Sequence, residues 1–256
     1  MSPVLPEAFF QAPLAHRGYH GGAQGGVENS REAIANAVSH GYGIELDLQL
    51  SADGQAMVFH DETLARMTGK TGRVIEKSAA ELGALQLIGG HSGIPTLAQV
   101  LAQVSGDVPL LLEVKDQSGV LGPCDGRLEQ EVAALLGTYG GPAAVMSFNP
   151  NSVACLAKLA PGVPRGLTTD DFSSKGWPDV PKERLAYLRR MDQLQELGAC
   201  FISHDHSDLK GPSVTKARAA GLAVLCWTIE TVDQENRARQ MADNITFEGY
   251  AAQIAP

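Results

Sequence analysis

The sequence is poor in several things, and each shortage excludes a class of protein. Four cysteines, Cys124, Cys155, Cys200 and Cys226, stand far apart in 256 residues with no CxxC spacing. That pattern excludes a disulfide framework, a thiolate zinc site and a dithiol redox pair, and leaves buried free thiols. Basic residues are outnumbered by acidic ones, 20 to 29, for a formal net charge of -9 and a pI near 5.2. Nucleic acid and anionic membrane, which call for a basic patch, are therefore not expected as partners. A small anionic substrate is not excluded, because a metal ion and a few local cations reverse the potential inside one pocket. No apolar run reaches bilayer length, so no integral membrane segment is expected. The opening segment MSPVLPEAFFQAPLAHRG lacks a basic region followed by an apolar one, and a cytoplasmic protein is expected. Repeats, low-complexity tracts and interdomain linkers are also missing, so residues 1–256 read as a single domain.

What is present is a long alternation of short apolar runs with amphipathic ones. Strands are expected at Ala12–Ala15, Gly43–Leu50, Ala56–His60, Val108–Lys115, Ala143–Ser147, Val163–Thr168, Ala199–Ser203, Leu222–Thr228 and Asn244–Phe247. Helices are expected at Ser30–His40, Arg127–Leu136, Ser152–Leu159, Glu183–Leu197, Val214–Ala220 and Val232–Met241. About eight βα units in a chain of this length favour an α/β fold of the closed (β/α)8 TIM-barrel type. No glycine-rich dinucleotide fingerprint follows the first strand, which weakens the open doubly wound alternative. One stretch breaks the rhythm. Residues 62–96 are rich in turns and carry one short helical piece, Ser78–Leu85, and read as a small insertion on the barrel rim after the second strand region.

The candidate chemistry sits at expected strand ends. Glu45 and Asp47 are two apart on a strand whose other face is Ile44, Leu46, Leu48 and Leu50, so both carboxylates share a face. Alternation alone leaves two readings: an edge strand with a solvated polar face, or two carboxylates turned into a barrel, which demand a cation. Glu113 and Lys115 repeat the spacing after Pro109-Leu110-Leu111-Leu112. They tilt the balance towards the barrel, although a structural ion pair would look the same. Three carboxylates at strand ends suit a hard cation, Mg2+ or Ca2+. His16 and His60 each end an expected strand, where paired histidines suit general acid and base work near neutral pH. Arg17 suits bidentate recognition of a phosphate, and Lys115 would add a fixed positive charge.

These residues stand in a recognisable order: His16-Arg17-Gly18, Glu28-Asn29, Glu45-Leu46-Asp47 and His60-Asp61. Leu64, Arg66, Thr68 and Gly72 follow, then Ile94-Pro95-Thr96-Leu97, Glu113-Val114-Lys115, Ser147-Phe148 and Trp227-Thr228. The ordered set resembles the glycerophosphodiester phosphodiesterase family over residues 12–247. The resemblance implies a TIM barrel with a small insertion and hydrolysis of a glycerophosphodiester to glycerol 3-phosphate and an alcohol. It further implies one divalent metal ion held by Glu45, Asp47 and Glu113. His16 would be general base and His60 general acid, with Arg17 and Lys115 on the phosphate. Glu28 would ligate the metal or orient His16 and Arg17. Attack by the substrate's own 2-hydroxyl through a cyclic phosphate and direct attack by water both fit these residues.

Other readings stay open. A lysophospholipase D or another phosphodiesterase would use the same site, though an aromatic content of 5% disfavours an apolar channel. A non-catalytic ligand-binding barrel would need a broken residue set, and the set is complete. Trp227 packs on the glycerol or the alcohol group, or plugs the barrel mouth; Phe148 and Phe172 are weaker candidates. His204, Asp205, His206 and Asp208 invite a second metal site, but a polar loop suits them better. Tyr19–Val27, nine residues rich in glycine, is longer than the family pattern, with Val27 in place of a common proline. Thr246-Phe247-Glu248 stands where relatives have Thr-Asp-x-Pro, which puts local geometry there in doubt. The sequence is compatible with a homo-oligomer.

Overall fold

The computed structural model describes residues 3–21 and 26–254. Residues 22–25 of the long Tyr19–Val27 loop thus lie outside the described residues. Nine strands form one sheet: β1 (Leu14–Ala15), β2 (Gly43–Leu50), β3 (Ala56–Val58), β4 (Leu110–Val114), β5 (Ala143–Ser147), β6 (Arg165–Thr169), β7 (Phe201–Asp205), β8 (Ala223–Ile229) and β9 (Asn244–Phe247). All but β3 are parallel to their neighbours, and β1 pairs with both β2 and β9, which closes an eight-stranded barrel. This is the expected TIM barrel.

Most helices cross between strands on the outside; the first precedes β1 and two short ones lie in residues 62–96. The helices are α1 (Ala8–Gln11), α2 (Arg31–Ser39), α3 (Ala65–Thr68), α4 (Ala79–Gly83), α5 (Leu97–Val104), α6 (Arg127–Leu136), α7 (Pro150–Leu159), α8 (Lys182–Arg190), α9 (Pro212–Ala219) and α10 (Val232–Ala238). Their starts follow the capping chemistry of the sequence. Ser30 accepts from Ala33 N at the head of α2, and Ser78 with Glu81 and Thr96 with Gln99 form capping boxes for α4 and α5.

Three expectations need correction. The strand at Ala56–His60 ends at Val58 and runs antiparallel to β2, so it is a hairpin arm on the rim, not a barrel stave. Phe59 N donating to Asp47 O carries the chain on to His60. The helix at Glu183–Leu197 stops at Arg190, because Met191 turns left-handed with φ 50°. Helix α5 was not foreseen; it buries Leu97, Val100, Leu101 and Val104 and is the crossover that returns the chain from the insertion to β4. The insertion itself has a small apolar cluster of Met57, Phe59, Leu64, Val74, Leu82, Leu87 and Ile94, on which Val27 also packs.

Strand alternation sorts the side chains. Ile44, Leu46, Leu48 and Leu50 join Leu110, Leu112 and Val114 in the layer between barrel and helices. Leu14, Leu111, Ala144, Met146, Phe201 and Leu225 fill the barrel interior, and Leu5 and Phe9 close its lower end. Asn244 Nδ2 pins that plug by donating to Phe9 O at 2.6 Å and Ala12 O at 2.7 Å. Gly166 lies against Phe201: a Cβ there would sit 2.5 Å from Phe201 O and 2.6 Å from its ring. The packed lower layers leave the functional groups only the upper end, where the strands' C-termini open.

Candidate active site

Every residue of β2 is buried and the strand is flanked by β1 and β4, so the solvated-edge reading of Glu45 and Asp47 does not hold. Both carboxylates point into the barrel. Asp47 stands directly beside Glu113 in the β2–β4 register. One oxygen from each of Glu45, Asp47 and Glu113 lies within 4.8 Å of the others. Lys115, past the end of β4, reaches Asp47 Oδ1 at 2.8 Å and Glu113 Oε1 at 2.7 Å. Arg17 donates its backbone N–H to Glu45 Oε2 at 3.2 Å, and its Nε lies 3.3 Å from Asp47 Oδ2.

The charges do not balance. Burial raises the Glu45 pKa well above the carboxylate range, and Asp47 and Glu113 push it further. Asp47 goes the other way: burial would raise it, but Lys115, then His60 and Arg17, hold it far below its ordinary value. Lys115 is raised in turn, because Asp47 and Glu113 outweigh its burial. Lys115 and Arg17 thus face three carboxylates, and the charged form of Glu45 is the one most disfavoured. Three hard oxygen donors with a shortage of positive charge fit a divalent cation such as Mg2+ or Ca2+.

The two histidines flank this cage. A carboxylate can only accept, so His16 Nδ1–H donates to Glu248 Oε2 at 2.6 Å, and His16 Nε2 is 3.9 Å from Glu45 Oε2. Glu248 is held well below its usual pKa by the hydrogen bond from His16 and by the nearby His20, whose Nε2 is 3.8 Å away. His60 Nδ1–H likewise donates to Asp61 Oδ1 at 2.8 Å. Burial, then Lys115, lowers the His60 pKa despite Asp47 and Asp61, so its imidazolium surrenders a proton readily. Asp61 is pulled down to about 2: burial opposes the shift, but Arg66 and His60 overcome it. Arg66 bridges to Glu28 at 2.6 and 2.8 Å, and Glu28 accepts from Arg17 Nη1 at 2.9 Å. A continuous chain of ion pairs therefore joins Arg17 to His60 across the rim. Glu28 belongs to that chain and not to the three-carboxylate group.

A cleft of about 70 Å3 collects His16, Arg17, Glu45, Asp47, His60, Glu113 and Lys115, with walls from Met146, Phe148, Thr168, Trp227 and Thr246. It adjoins an open pocket of about 450 Å3 bordered by His60, Lys115, Phe148, Leu121 and Trp177. Trp227 is half-buried, donates Nε1–H to Ser203 O at 3.0 Å and meets Phe148 edge-on at 5.7 Å. Phe172 is buried away from the cleft among Leu121, Val180, Leu185 and Leu188. His204 is also buried, between Thr169 Oγ1 at 2.8 Å and Asp208 at 3.3 Å. Among the described residues it joins no metal-type group.

Sequence reasoning missed the partners of the histidines. Asp61 and Arg66 stood in the quoted motifs without a role. Asn29 is a further case: its Nδ2 donates to Asp47 Oδ2 at 2.9 Å, and its N–H donates to Arg17 O at 2.7 Å, with both Asn29 and Arg17 at positive φ. Adjacency to His60 was the available signal for Asp61; Glu248 offered none, being 232 residues from His16.

A closed parallel barrel with two carboxylate-tethered histidines and a three-carboxylate cage at its upper end has the make-up of a TIM-barrel hydrolase. A model of the glycerophosphoryl diester phosphodiesterase family matches residues 16–244, and the chain belongs to that family. The Bacillus subtilis protein YhdW is 29% identical over 239 residues, 90% of this chain and 89% of that one. A glycerophosphodiester phosphodiesterase of Caldanaerobacter subterraneus subsp. tengcongensis is 33% identical over 165 residues, 60% of this chain and 65% of its own. Among solved structures, an Oleispira antarctica phosphodiesterase in complex with the product sn-glycerol-3-phosphate aligns with a TM-score of 0.71 at 26% identity. It covers 94% of each chain.

Proposed function

We propose that this enzyme hydrolyses glycerophosphodiesters to glycerol 3-phosphate and an alcohol, with one divalent metal ion, Mg2+ or Ca2+, held by Glu45, Asp47 and Glu113. The observation that carries the reading is the convergence of three buried carboxylates, two carboxylate-tethered histidines and Lys115 in one cleft. When bound, the metal offsets phosphate charge and lowers the pKa of a nearby hydroxyl.

The protein's own groups do the rest. His16, with Nδ1–H tied to Glu248, offers the lone pair of Nε2 to the cleft and takes the proton from the glycerol 2-hydroxyl. That oxygen attacks phosphorus, using proximity already built into the substrate. The bond from phosphorus to the alcohol oxygen breaks, and His60 Nε2 protonates the leaving oxygen. Water then opens the cyclic phosphate with the histidines exchanging roles. This division of labour is supported by the borders of the two cavities. His16 borders only the closed cleft, whereas His60 borders both the cleft and the open pocket through which an alcohol departs. Lys115 and Arg17 stabilise the phosphate charge, Glu28 orients Arg17, and Trp227 walls the glycerol side.

A cytoplasmic setting is supported by four unpaired thiols. No helix among the described residues is long and apolar enough to cross a membrane. The test is hydrolysis of glycerophosphocholine and glycerophosphoethanolamine with EDTA, then with Mg2+ or Ca2+ restored. Release of glycerol 3-phosphate only with metal supports the proposal; no release from either diester under any condition refutes it.

A further inference from the structure

Two groups in the cleft have no part in the reaction just described. Thr168 on β6 and Thr246 on β9 both face the barrel interior, since their neighbours Leu167, Ile245 and Phe247 pack in the outer layer. They are 2% and 1% exposed. Neither Oγ1 has a hydrogen-bond partner among the described residues, although each is buried. A buried hydroxyl that bonds nothing destabilises the fold, so such a group at a substrate cleft points to a partner that arrives with the ligand. Two of them, on β6 and β9, thus present unpartnered hydroxyls to one cleft, Thr246 two residues before the carboxylate that tethers His16. Below them Met146, Leu111, Phe201 and Leu225 close the barrel.

We propose that Thr168 and Thr246 are specificity-determining residues that hydrogen-bond the terminal hydroxyl of the substrate's glycerol half. The proposal rests on the phosphodiesterase reading and sharpens its substrate class. A free hydroxyl both donates and accepts, so it satisfies one threonine as donor and the other as acceptor. An ester oxygen at the same place cannot donate, and its acyl chain would have to enter the packed layer beneath. The site therefore selects deacylated glycerophosphodiesters and rejects 1-acyl lysophospholipids, even though these keep the attacking 2-hydroxyl.

The test compares kcat/KM for glycerophosphocholine, 2-hydroxypropyl phosphocholine, which lacks only the terminal hydroxyl, and a short-chain 1-acyl lysophosphatidylcholine. For the wild type, loss of the hydroxyl should lower kcat/KM by about tenfold or more, and acylation by more still. Thr168→Val and Thr246→Val should narrow the gap between the first two substrates at least several-fold, while Thr168→Ser and Thr246→Ser should retain it. An unchanged gap in both valine variants, the result if ordered water alone meets these hydroxyls, overturns the proposal. So does a wild-type gap below about twofold, however the variants fold, or lysophosphatidylcholine hydrolysed as fast as glycerophosphocholine. Failure to turn over any of the three with divalent metal present would instead bring down the phosphodiesterase reading on which the proposal stands.

Discussion

Glu45→Gln separates what the carboxylate cage does for function from what it does for stability. Glu45 faces Asp47 and Glu113 with oxygens no more than 4.8 Å apart. At an effective dielectric of about 20, two unit charges at that distance repel by roughly 3 kcal/mol, and an ionised Glu45 would meet two such neighbours. Lys115 and Arg17 offset only part of this, which is why burial and its neighbours raise the Glu45 pKa well above the carboxylate range. Glutamine is already neutral, and its amide oxygen still accepts from Arg17 N–H as Glu45 Oε2 does at 3.2 Å. The metal-free variant should therefore melt at the wild-type temperature or above it. Metal reverses the comparison. At a hundredfold excess over Kd a bound ion adds about 2.7 kcal/mol, and for a chain of this size that raises Tm by roughly 5–10 °C. Glu45→Gln should lose most of that rise. Differential scanning calorimetry with EDTA, and with Mg2+ or Ca2+, reads both arms. A full metal-induced shift in the variant, or a metal-free variant melting several degrees below wild type, would refute the reasoning.

Other outcomes follow from the same contacts. Glu248→Gln removes the carboxylate that fixes the His16 tautomer, and kcat should fall by about 10–100-fold, with Glu248→Asp recovering part of the loss; an unchanged kcat would remove Glu248 from any role at His16. Gly166→Ala forces a methyl group against Phe201 O and ring, and should destabilise by about 2 kcal/mol or more, visible as a drop in Tm of at least roughly 4 °C. Asp61, held at about 2 in the fold, lies below its unfolded value of about 3.9. Its contribution is therefore fully present above about pH 4–5 and lost as pH falls towards 2. Urea melts should show Asp61→Asn less stable than wild type at pH 6, with the deficit shrinking towards pH 2; a deficit that grows on acidification would contradict the assignment.

The sequence was most legible where physical demands are local. Strict alternation over Gly43–Leu50 revealed which face carries Glu45 and Asp47, and the same spacing related Glu113 to Lys115. Only tertiary burial decided that this face is a barrel interior. Helix α2 was readable for the same local reason. Helix α5 was hidden by its position just after the turn-rich insertion, and the antiparallel pairing of β3 by the absence of any local mark of strand direction. Glu248 and Thr246 reach the cleft only because β9 closes against β1, a contact between chain ends that no local pattern encodes. By its motif the departure at Thr246-Phe247-Glu248 reads as a matter of local geometry and not of chemistry, yet that segment supplies the carboxylate of the His16 pair.

The central claim is that His16 and His60 work on opposite sides of phosphorus, His60 on the leaving alcohol. The measurement that tests it most directly is kcat for His16→Ala and His60→Ala on glycerophosphocholine and on a glycerophosphodiester of p-nitrophenol, whose leaving oxygen needs no proton. On glycerophosphocholine both variants should lose about 100-fold or more. On the nitrophenyl diester His60→Ala should recover most of its activity while His16→Ala stays impaired. Equal losses for the two variants on both substrates, or recovery by His16→Ala instead, would contradict the account.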